Sequence, residues 1–330
     1  MNVRHLALIL LLLGIIASAT AGGQVPARMP VVGVLSPGSV GDANAAASRE
    51  AFERGLKEFG WVSGLTFLWV YGYGVGARTR LQGLARELVQ LGVDVVVARA
   101  STSVAAARQA TATIPIVMSA SGEDPVQTGV IASLARPGGN VTGLTLLLPD
   151  LRLKQLQLLK EVVPGLSRVA VVTGSSVPTE KDRQNLDTAA VSLGLHIEHV
   201  DVRQARDLNT VFASLARARI DGLLVWGDPL VLEANMQEVV GLASKHRLPA
   251  VYWLRAYPER GGLMSYGADL LEIHRRSAYY VDRLLRGTRP SDLPVEAPTK
   301  FALVVNVKSA KAIGLSFPRS ILARADEVIE

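Results

Sequence analysis

Apolar residues along this chain gather in short unbroken runs separated by amphipathic stretches. Beyond residue 30 the first run is VVGVLSPGS (Val31 to Ser39), ended by Ser, Pro and Gly, and it predicts a strand buried on both faces. Ala47, Phe52, Leu56 and Phe59 then recur near helical spacing until Gly60 stops the helix. LTFLWVYGYG (Leu65 to Gly74) predicts a second strand, and Leu81 to Leu91 a second helix. GVDVVVARAS (Gly92 to Ser101), a helix to Thr111, TIPIVMSAS (Thr113 to Ser121) and PGGNVTGLTL (Pro137 to Leu146) complete a set. Strands and helices alternate across short turns, which predicts a parallel sheet covered on both faces.

The second half repeats these landmarks in order. RVAVVTGSS (Arg168 to Ser176) matches the opening strand, and a helix to Leu193 and the strand LHIEHVDV (Leu195 to Val202) follow. RIDGLLVWGDP (Arg219 to Pro229) parallels GVDVVVARAS, RLPAVYWLR (Arg247 to Arg255) parallels TIPIVMSAS, and ERGGLMSYG (Glu259 to Gly267) parallels PGGNVTGLTL. A helix (Leu270 to Arg286), a Pro-rich connection, a strand FALVVNV (Phe301 to Val307) and a terminal helical stretch remain, too few for a third domain. The expected fold class is α/β, two doubly wound parallel-sheet lobes hinged about a cleft. Lobe 1 takes residues 31–146 plus about 268–298, and lobe 2 takes 147–267 plus about 299–330. More than one crossing between lobes restricts their motion to hinge bending.

The first residues, MNVRHLALILLLLGIIASATAGGQ, follow a different rule. Arg4 supplies a positive start, Leu6 to Ile16 an apolar core, and Ala17-Ser-Ala19-Thr-Ala21 two overlapping small-x-small cleavage sites, the pattern of a secretory signal peptide. The run is well short of the ~20 apolar residues that span a bilayer. Residues 1–21 are therefore expected to be a signal peptide cut after Ala21 or Ala19, with 22–30 a linker. No Cys follows it to carry a lipid, so a free protein in the periplasm is expected.

At 330 residues there is room for two average domains, and 49% apolar residues suffice for a sizeable core. The absence of cysteine removes disulfides, Cys-ligated zinc, iron–sulfur clusters and thiol nucleophiles. The formal charge of +6 is carried mostly by Arg spread over many helices, without the one-sided clustering a nucleic-acid partner needs, so none is expected.

A dinucleotide fingerprint would follow the first strand, where the chain instead has Ser36-Pro37-Gly38-Ser39, and the Gly72, Gly74, Gly76 series lacks the final spacing. The sequence contains no phosphate loop, no G-x-S-x-G elbow and no H-E-x-x-H, so neither cofactor, metal nor catalysis is expected. His5 leaves with the signal; His196 and His199 fall on opposite strand faces, and His246 and His274 read as surface residues of basic helices.

What remains gathers at the carboxyl ends of strands, where open α/β sheets bind ligands. In lobe 1 these residues are Ser36, Ser39, Ser101, Thr102, Ser119, Ser121 and Asp124; in lobe 2 they are Ser175, Ser176, Trp226, Asp228, Trp253 and Arg255. Hydroxyls there can serve a polar ligand, and the same residues can equally be helix N-caps. Trp226 and Trp253 offer either a stacking wall or a packed lid over the core, with Tyr71, Tyr73 and Tyr257 adding aromatic surface from loops. Arg255 suits a carboxylate and Asp124 or Asp228 an amine, although a salt bridge between lobes would use the same residues.

SLARPGGNVTGLT (Ser133 to Thr145), LKEVVPGLSRVAVV (Leu159 to Val172), RLPAVY (Arg247 to Tyr252), GGLMSYG (Gly261 to Gly267) and DLPVEAPTKFALVVNVKSAKAIGL (Asp292 to Leu315) carry a resemblance that runs nearly end to end. The chain resembles the periplasmic substrate-binding proteins of ABC transporters related to the tryptophan- and tyrosine-binding type. The resemblance implies a periplasmic-binding-protein fold of the first structural type and hinge closure on a small solute. That solute would be an aromatic or other amino acid or a small carboxylate. Delivery to an inner-membrane permease with its own ATPase is also implied, and the protein is expected to be a monomer. Relatives commonly carry Gly-Thr after the third strand, where this chain has Ala100-Ser101 preceded by Arg99. Their G-D-P-V appears as Gly122-Glu123-Asp124-Pro125-Val126, and an Asn-Pro turn is replaced by Gly174-Ser175-Ser176. The rival readings are an exported two-lobe enzyme, such as a glycosyltransferase, and a ligand-sensing module of the same fold. The missing phosphate loop and the export signal count against the first. A DNA-reading form of the second would need a helix-turn-helix where the signal lies.

Overall fold

Strands of consecutive Val, Leu and Ile have no polar face to give to water, so each must be covered twice. The computed structural model describes residues 28–38, 43–74, 78–146, 148–174, 178–228 and 231–330. The expected signal peptide, Ser39, Ser175 and Ser176 lie outside the described residues. In the first lobe β1 (Val31–Ser36), β2 (Leu68–Tyr73), β3 (Val95–Arg99), β4 (Ile116–Ser121) and β5 (Val141–Thr145) form a parallel sheet in the order β2-β1-β3-β4-β5. Helices α1 (Ala43–Glu58), α2 (Arg78–Gln90) and α3 (Ala100–Ala110) link the first four strands. Side chains alternate as the runs require: Val32, Val34, Val95 and Val97 enter one apolar layer, and Val31, Leu35, Val96 and Ala98 the other.

The second lobe begins with α4 (Leu148–Val162) and β6 (Arg168–Thr173), then α5 (Glu180–Ser192), β7 (His196–Asp201), α6 (Leu208–Arg217), β8 (Gly222–Val225), α7 (Met236–Lys245), β9 (Ala250–Tyr252), α8 (Ala256–Glu259) and β10 (Met264–Ala268). The long α9 (Leu270–Leu285) returns to pack on α1 and β4 of the first lobe. The chain comes back through β11 (Phe301–Asn306), α10 (Val307–Ala312), α11 (Arg319–Leu322) and β12 (Glu327–Ile329). The second sheet has the order β12-β11-β10-β9-β8-β6-β7, with β11 antiparallel to β10 and the other described pairs parallel. The chain thus passes between lobes after β5, after β10 and before β11. On the way back it adds an edge to the first sheet, where Thr145 N–H donates to the Glu296 carbonyl (2.9 Å) and Glu296 N–H to the Gly143 carbonyl (3.0 Å).

Two elements depart from the sequence reading. The run pattern leaves 147–167 empty, yet α4 lies there, because its buried stripe of Leu151, Leu156, Leu159 and Val162 is shared with the polar Arg152 and Gln155. The expected terminal helical stretch ends instead in β12, parallel to β11, where Asp326 takes the Leu303 N–H on its carboxylate (2.7 Å) and returns its own N–H to the Leu303 carbonyl (2.9 Å).

Two close approaches depend on glycine. At Gly55 a Cβ would lie 2.3 Å from the Arg275 carbonyl oxygen, so α1 and α9 meet backbone to backbone. At Gly267 in β10 a Cβ would lie 1.8 Å from the carbonyl oxygen of Trp253. Gly267→Ala is expected to cost about 1–3 kcal/mol through overpacking that only a backbone shift relieves. Gly83→Ala, mid-helix in α2 with open space around it, is expected to stabilise by roughly 0.5–1 kcal/mol. Urea unfolding of the two variants checks the opposite signs.

Candidate functional site

The carboxyl ends of β1, β3 and β4 face those of β8 and β9 across a cleft of about 1060 Å³. Ser36, Ser101, Thr102, Ser119, Asp124, Trp226, Trp253 and Arg255 line it, whereas Ser121 and Asp228 do not.

On the first lobe most polar groups already serve the backbone. Ser101 Oγ accepts the N–H groups of Gly122 and Glu123, both at 3.1 Å, and so gives its proton to Ser121 Oγ 3.0 Å away. Asp124 Oδ1 accepts from Val126 (2.9 Å) and Gln127 (3.1 Å), closing the turn. Ser36 Oγ accepts from the Gly38 N–H at 3.4 Å. Thr102 differs: it is buried, lines the cleft, and its hydroxyl has no partner among the described residues. Ala100 and Ala120 both sit at φ 61°, the left-handed region that disfavours a Cβ.

His274, read from the sequence as a surface residue, is only 4% exposed and lines the cleft from α9. Its Nε2 lies 3.3 Å from an Arg99 guanidinium nitrogen, which can only donate, so Nε2 accepts and Nδ1 carries the proton toward Ser119 Oγ at 2.7 Å. Ser277 Oγ is 2.9 Å from both Ser119 Oγ and the Ile273 carbonyl. The imidazole and both hydroxyls are satisfied when protons point one way along the chain, from an Arg99 guanidinium N–H through His274, Ser119 and Ser277 to that carbonyl. Burial, and then the Arg99 charge, hold the imidazole pKa well below its ordinary value.

On the second lobe Asp228 is wholly buried, and its Oδ1 accepts the N–H groups of Val231 (2.5 Å) and Leu232 (3.2 Å). Arg255 gives its guanidinium to Glu259 and Glu327, each at 2.8 Å, so the arginine expected to meet a carboxylate is already paired. Trp226 is 7% exposed, and the Arg152 guanidinium lies over its ring at 3.0 Å from the centroid. Its face is therefore covered by the protein itself. Trp253 keeps a buried indole N–H without a partner among the described residues, as Ser265 keeps a buried hydroxyl, and both line the cleft. Tyr71, Tyr73 and Tyr257 do not add aromatic surface to it. Tyr71 and Tyr73 stack on each other along β2, and Tyr257 is buried against Tyr252 at 4.3 Å between centroids. Arg152 and Ser265 are the residues the sequence reading missed. For Arg152 the signal was a polar residue in phase with the apolar stripe of a helix, and His274 on α9 shows the same one; Ser265, inside a strand, gave none.

A family model of ABC transporter substrate binding proteins matches residues 36–329. The chain belongs to that family. It is also similar to the tyrosine-binding protein of Clostridioides difficile (strain R20291), 27% identical over 236 residues, which are 71% of this chain and 67% of that one. Among solved structures it resembles a conserved domain protein of Vibrio cholerae at TM-score 0.83 and 27% identity, covering 91% of this chain and all of the other. The ABC domain in complex with L-Trp from Streptococcus pneumonia shares the fold at TM-score 0.83 and 24% identity, over 91% of this chain and 99% of that one. The fold of this substrate binding protein is therefore that of the type I periplasmic binding proteins, and its role is to bind a solute for an ABC transporter.

Two outcomes follow for the binding protein. The folded imidazole of His274 resists protonation, whereas the unfolded one takes a proton near its ordinary 6.5. Its contribution to stability is therefore complete above that pH and falls as pH drops below it, by up to about 1.4 kcal/mol per pH unit. Urea titrations between pH 7.5 and 5 should show this slope, and His274→Gln should reduce it. Ala100→Gly and Ala120→Gly should each stabilise by about 0.5–1 kcal/mol, the relief of a left-handed Ala less the chain entropy that Gly adds, measured by the same titration.

Proposed function

We propose that the protein is exported to the periplasm by residues 1–21 and works there as a monomer, closing its lobes on one aromatic amino acid. It then presents that solute to an inner-membrane permease driven by its own ATPase. The observation that carries this reading is a set of buried polar groups at the cleft that lack a partner among the described residues: Thr102 Oγ1 on one lobe, Ser265 Oγ and the Trp253 indole N–H on the other. A buried donor or acceptor without a partner costs about 1–3 kcal/mol, a cost that a polar ligand held between the lobes removes. Trp253 adds an aromatic surface, and the tyrosine-binding relative supports the choice of an aromatic side chain.

Residues 31–146 with about 268–298, and 147–267 with about 299–330, would move as the two bodies. Trp253, Tyr266 and Leu270 pack against apolar layers of both lobes, which makes the ends of β9 and β10 the seam about which they bend. Gln127 Nε2 donates to Thr179 Oγ1 at 3.2 Å, joining the loop after β4 to the start of α5. A contact of this kind favours the closed arrangement.

Thermal denaturation of the mature protein against the common amino acids and small carboxylates tests the reading. Tyrosine, tryptophan or phenylalanine should raise the melting temperature, with stabilisation near 2.7 kcal/mol at a hundredfold excess over Kd. A shift by a non-aromatic solute alone would sink the aromatic assignment, and turnover of a bound solute by the isolated protein would sink the binding role.

A further inference from the structure

We propose that Arg152 is the anion anchor of the cleft, seated on the Trp226 ring and reserved for a carboxylate of the ligand. Arginines 28, 49, 168, 183, 255, 275, 276, 286, 289 and 324 each lie within ion-pairing distance of an aspartate or glutamate. Arg152 is more buried than any of them, at 7% exposure, and has no carboxylate within that distance among the described residues. Burying a charge without a counter-ion is among the most costly arrangements a fold can hold, and it persists where something else supplies the opposite charge.

The geometry fits that purpose. With the guanidinium carbon 3.0 Å from the Trp226 centroid, the ring supplies cation–π stabilisation through one face of the cation and leaves the in-plane N–H groups for a ligand. Those N–H groups form a rigid fork that matches a carboxylate with two parallel hydrogen bonds. Asp182, the acidic group that acts on Arg152 through space, is held in the N-terminal box of α5, where its Oδ2 accepts from the Thr179 hydroxyl (2.7 Å) and N–H (3.1 Å). Burial lowers the guanidinium pKa well below the usual arginine value, and a bound carboxylate reverses that pressure.

Trp226 takes a different part from the one its position invites. One face carries Arg152, and the ring packs into the apolar layer of Leu224, Val251 and Leu303, so it positions the cation and does not stack on a ligand ring. The solute class follows: small organic molecules with a free carboxylate, among them amino acids, while amines and neutral sugars lack the group the site is built to hold. One turn along α4, Gln155 donates to the Tyr266 carbonyl at 2.7 Å, which ties the anchoring helix to the seam between lobes.

This inference rests on the solute-binding reading, and calorimetry on the mature protein separates the two. The probes are L-tyrosine, its decarboxylated form tyramine, and 3-(4-hydroxyphenyl)propionate, which keeps the carboxylate and lacks the amine. Wild type should bind L-tyrosine and give no heat with tyramine. Arg152→Gln should weaken L-tyrosine by roughly 100-fold while the ligand-free melting temperature holds or rises, since an unpaired buried charge is removed. Arg152→Lys should recover part of the affinity, and Trp226→Leu should weaken it by about tenfold with Trp226→Phe restoring most of it. The anchor is refuted if Arg152→Gln binds L-tyrosine within about threefold of wild type, or if wild type binds tyramine as well as L-tyrosine; either result leaves the aromatic reading standing. Should wild type ignore tyrosine yet bind the propionate or another carboxylate, with that binding lost in Arg152→Gln, the amino-acid reading falls and the anchor stands. If Arg152→Gln fails to fold, the anchor is judged on Arg152→Lys and on tyramine alone, and full affinity in the one or binding of the other overturns it.

Discussion

The approach of the Trp253 carbonyl to Gly267 is the contact on which the two-lobe arrangement turns. Trp253 follows β9 and Gly267 lies in β10, one residue before the chain leaves the second sheet for α9. Without a Cβ between them the two strands stay paired to the edge of the cleft, and the Trp253 indole can lie against Gly227 while touching the apolar layers of both lobes. Gln155 adds to the same seam from α4 by donating to the Tyr266 carbonyl (2.7 Å) and the Tyr252 carbonyl (3.4 Å). Two of the three crossings therefore meet at one stitched place. Relative motion of the lobes is reduced to bending there, because sliding would break backbone and side-chain hydrogen bonds together.

A cleft built from strand ends and helix starts also decides which polar residues remain for a ligand. The first claim on any Ser, Thr or Asp at such a place comes from unpaired backbone N–H groups. Ser101, Asp124 and Asp228 meet that claim in full view of the cleft or just behind it. The groups left over are Thr102, Ser265, the Trp253 indole and Arg152, each buried and each lacking a hydrogen-bond partner or counter-ion among the described residues. Left-handed Ala100 and Ala120 line the same cleft from the first lobe, beside Thr102. Buried hydroxyls of Tyr71, Ser103, Tyr252 and Tyr257 away from the cleft also lack a partner among the described residues, so it is the facing of Thr102, Ser265 and the Trp253 indole into one cleft that marks a binding site.

The fold was legible because its signal is carried by uninterrupted apolar runs, and each run from Val31 to Phe301 became a strand within a few residues of its expected place. The site was less legible for a physical reason. Ser101 and Thr102 are adjacent in sequence and alike in chemistry, and only the three-dimensional course of the loop after β4 determines that the first caps it while the second faces the cleft. Arg255 and Arg152 were separated in the same way. Arg255 is exposed enough to find Glu259 and Glu327, whereas Arg152 is carried inside by a leucine stripe. A polar residue in phase with a buried stripe contradicts its own helix, and that contradiction was the readable trace of Arg152 and of His274.

Charge completes the account. The chain is positive by six, yet the cleft is not: Arg99, Arg152, Arg255 and Arg260 line it against Glu123, Asp124, Asp182, Glu233, Glu259 and Asp269. Four cations and six carboxylates leave the cleft lining with two more negative than positive formal charges on a basic protein, and exposed charges farther than about 8 Å are screened at physiological salt. The excess of arginine on the outer surface therefore contributes little to what enters. An anionic group has to be held by a specific cation at short range, and a cationic group finds negative potential around it. A solute that carries both, with an apolar body facing Trp253, matches the charges and the aromatic surface of the cleft, and an aromatic amino acid, as proposed, is such a molecule.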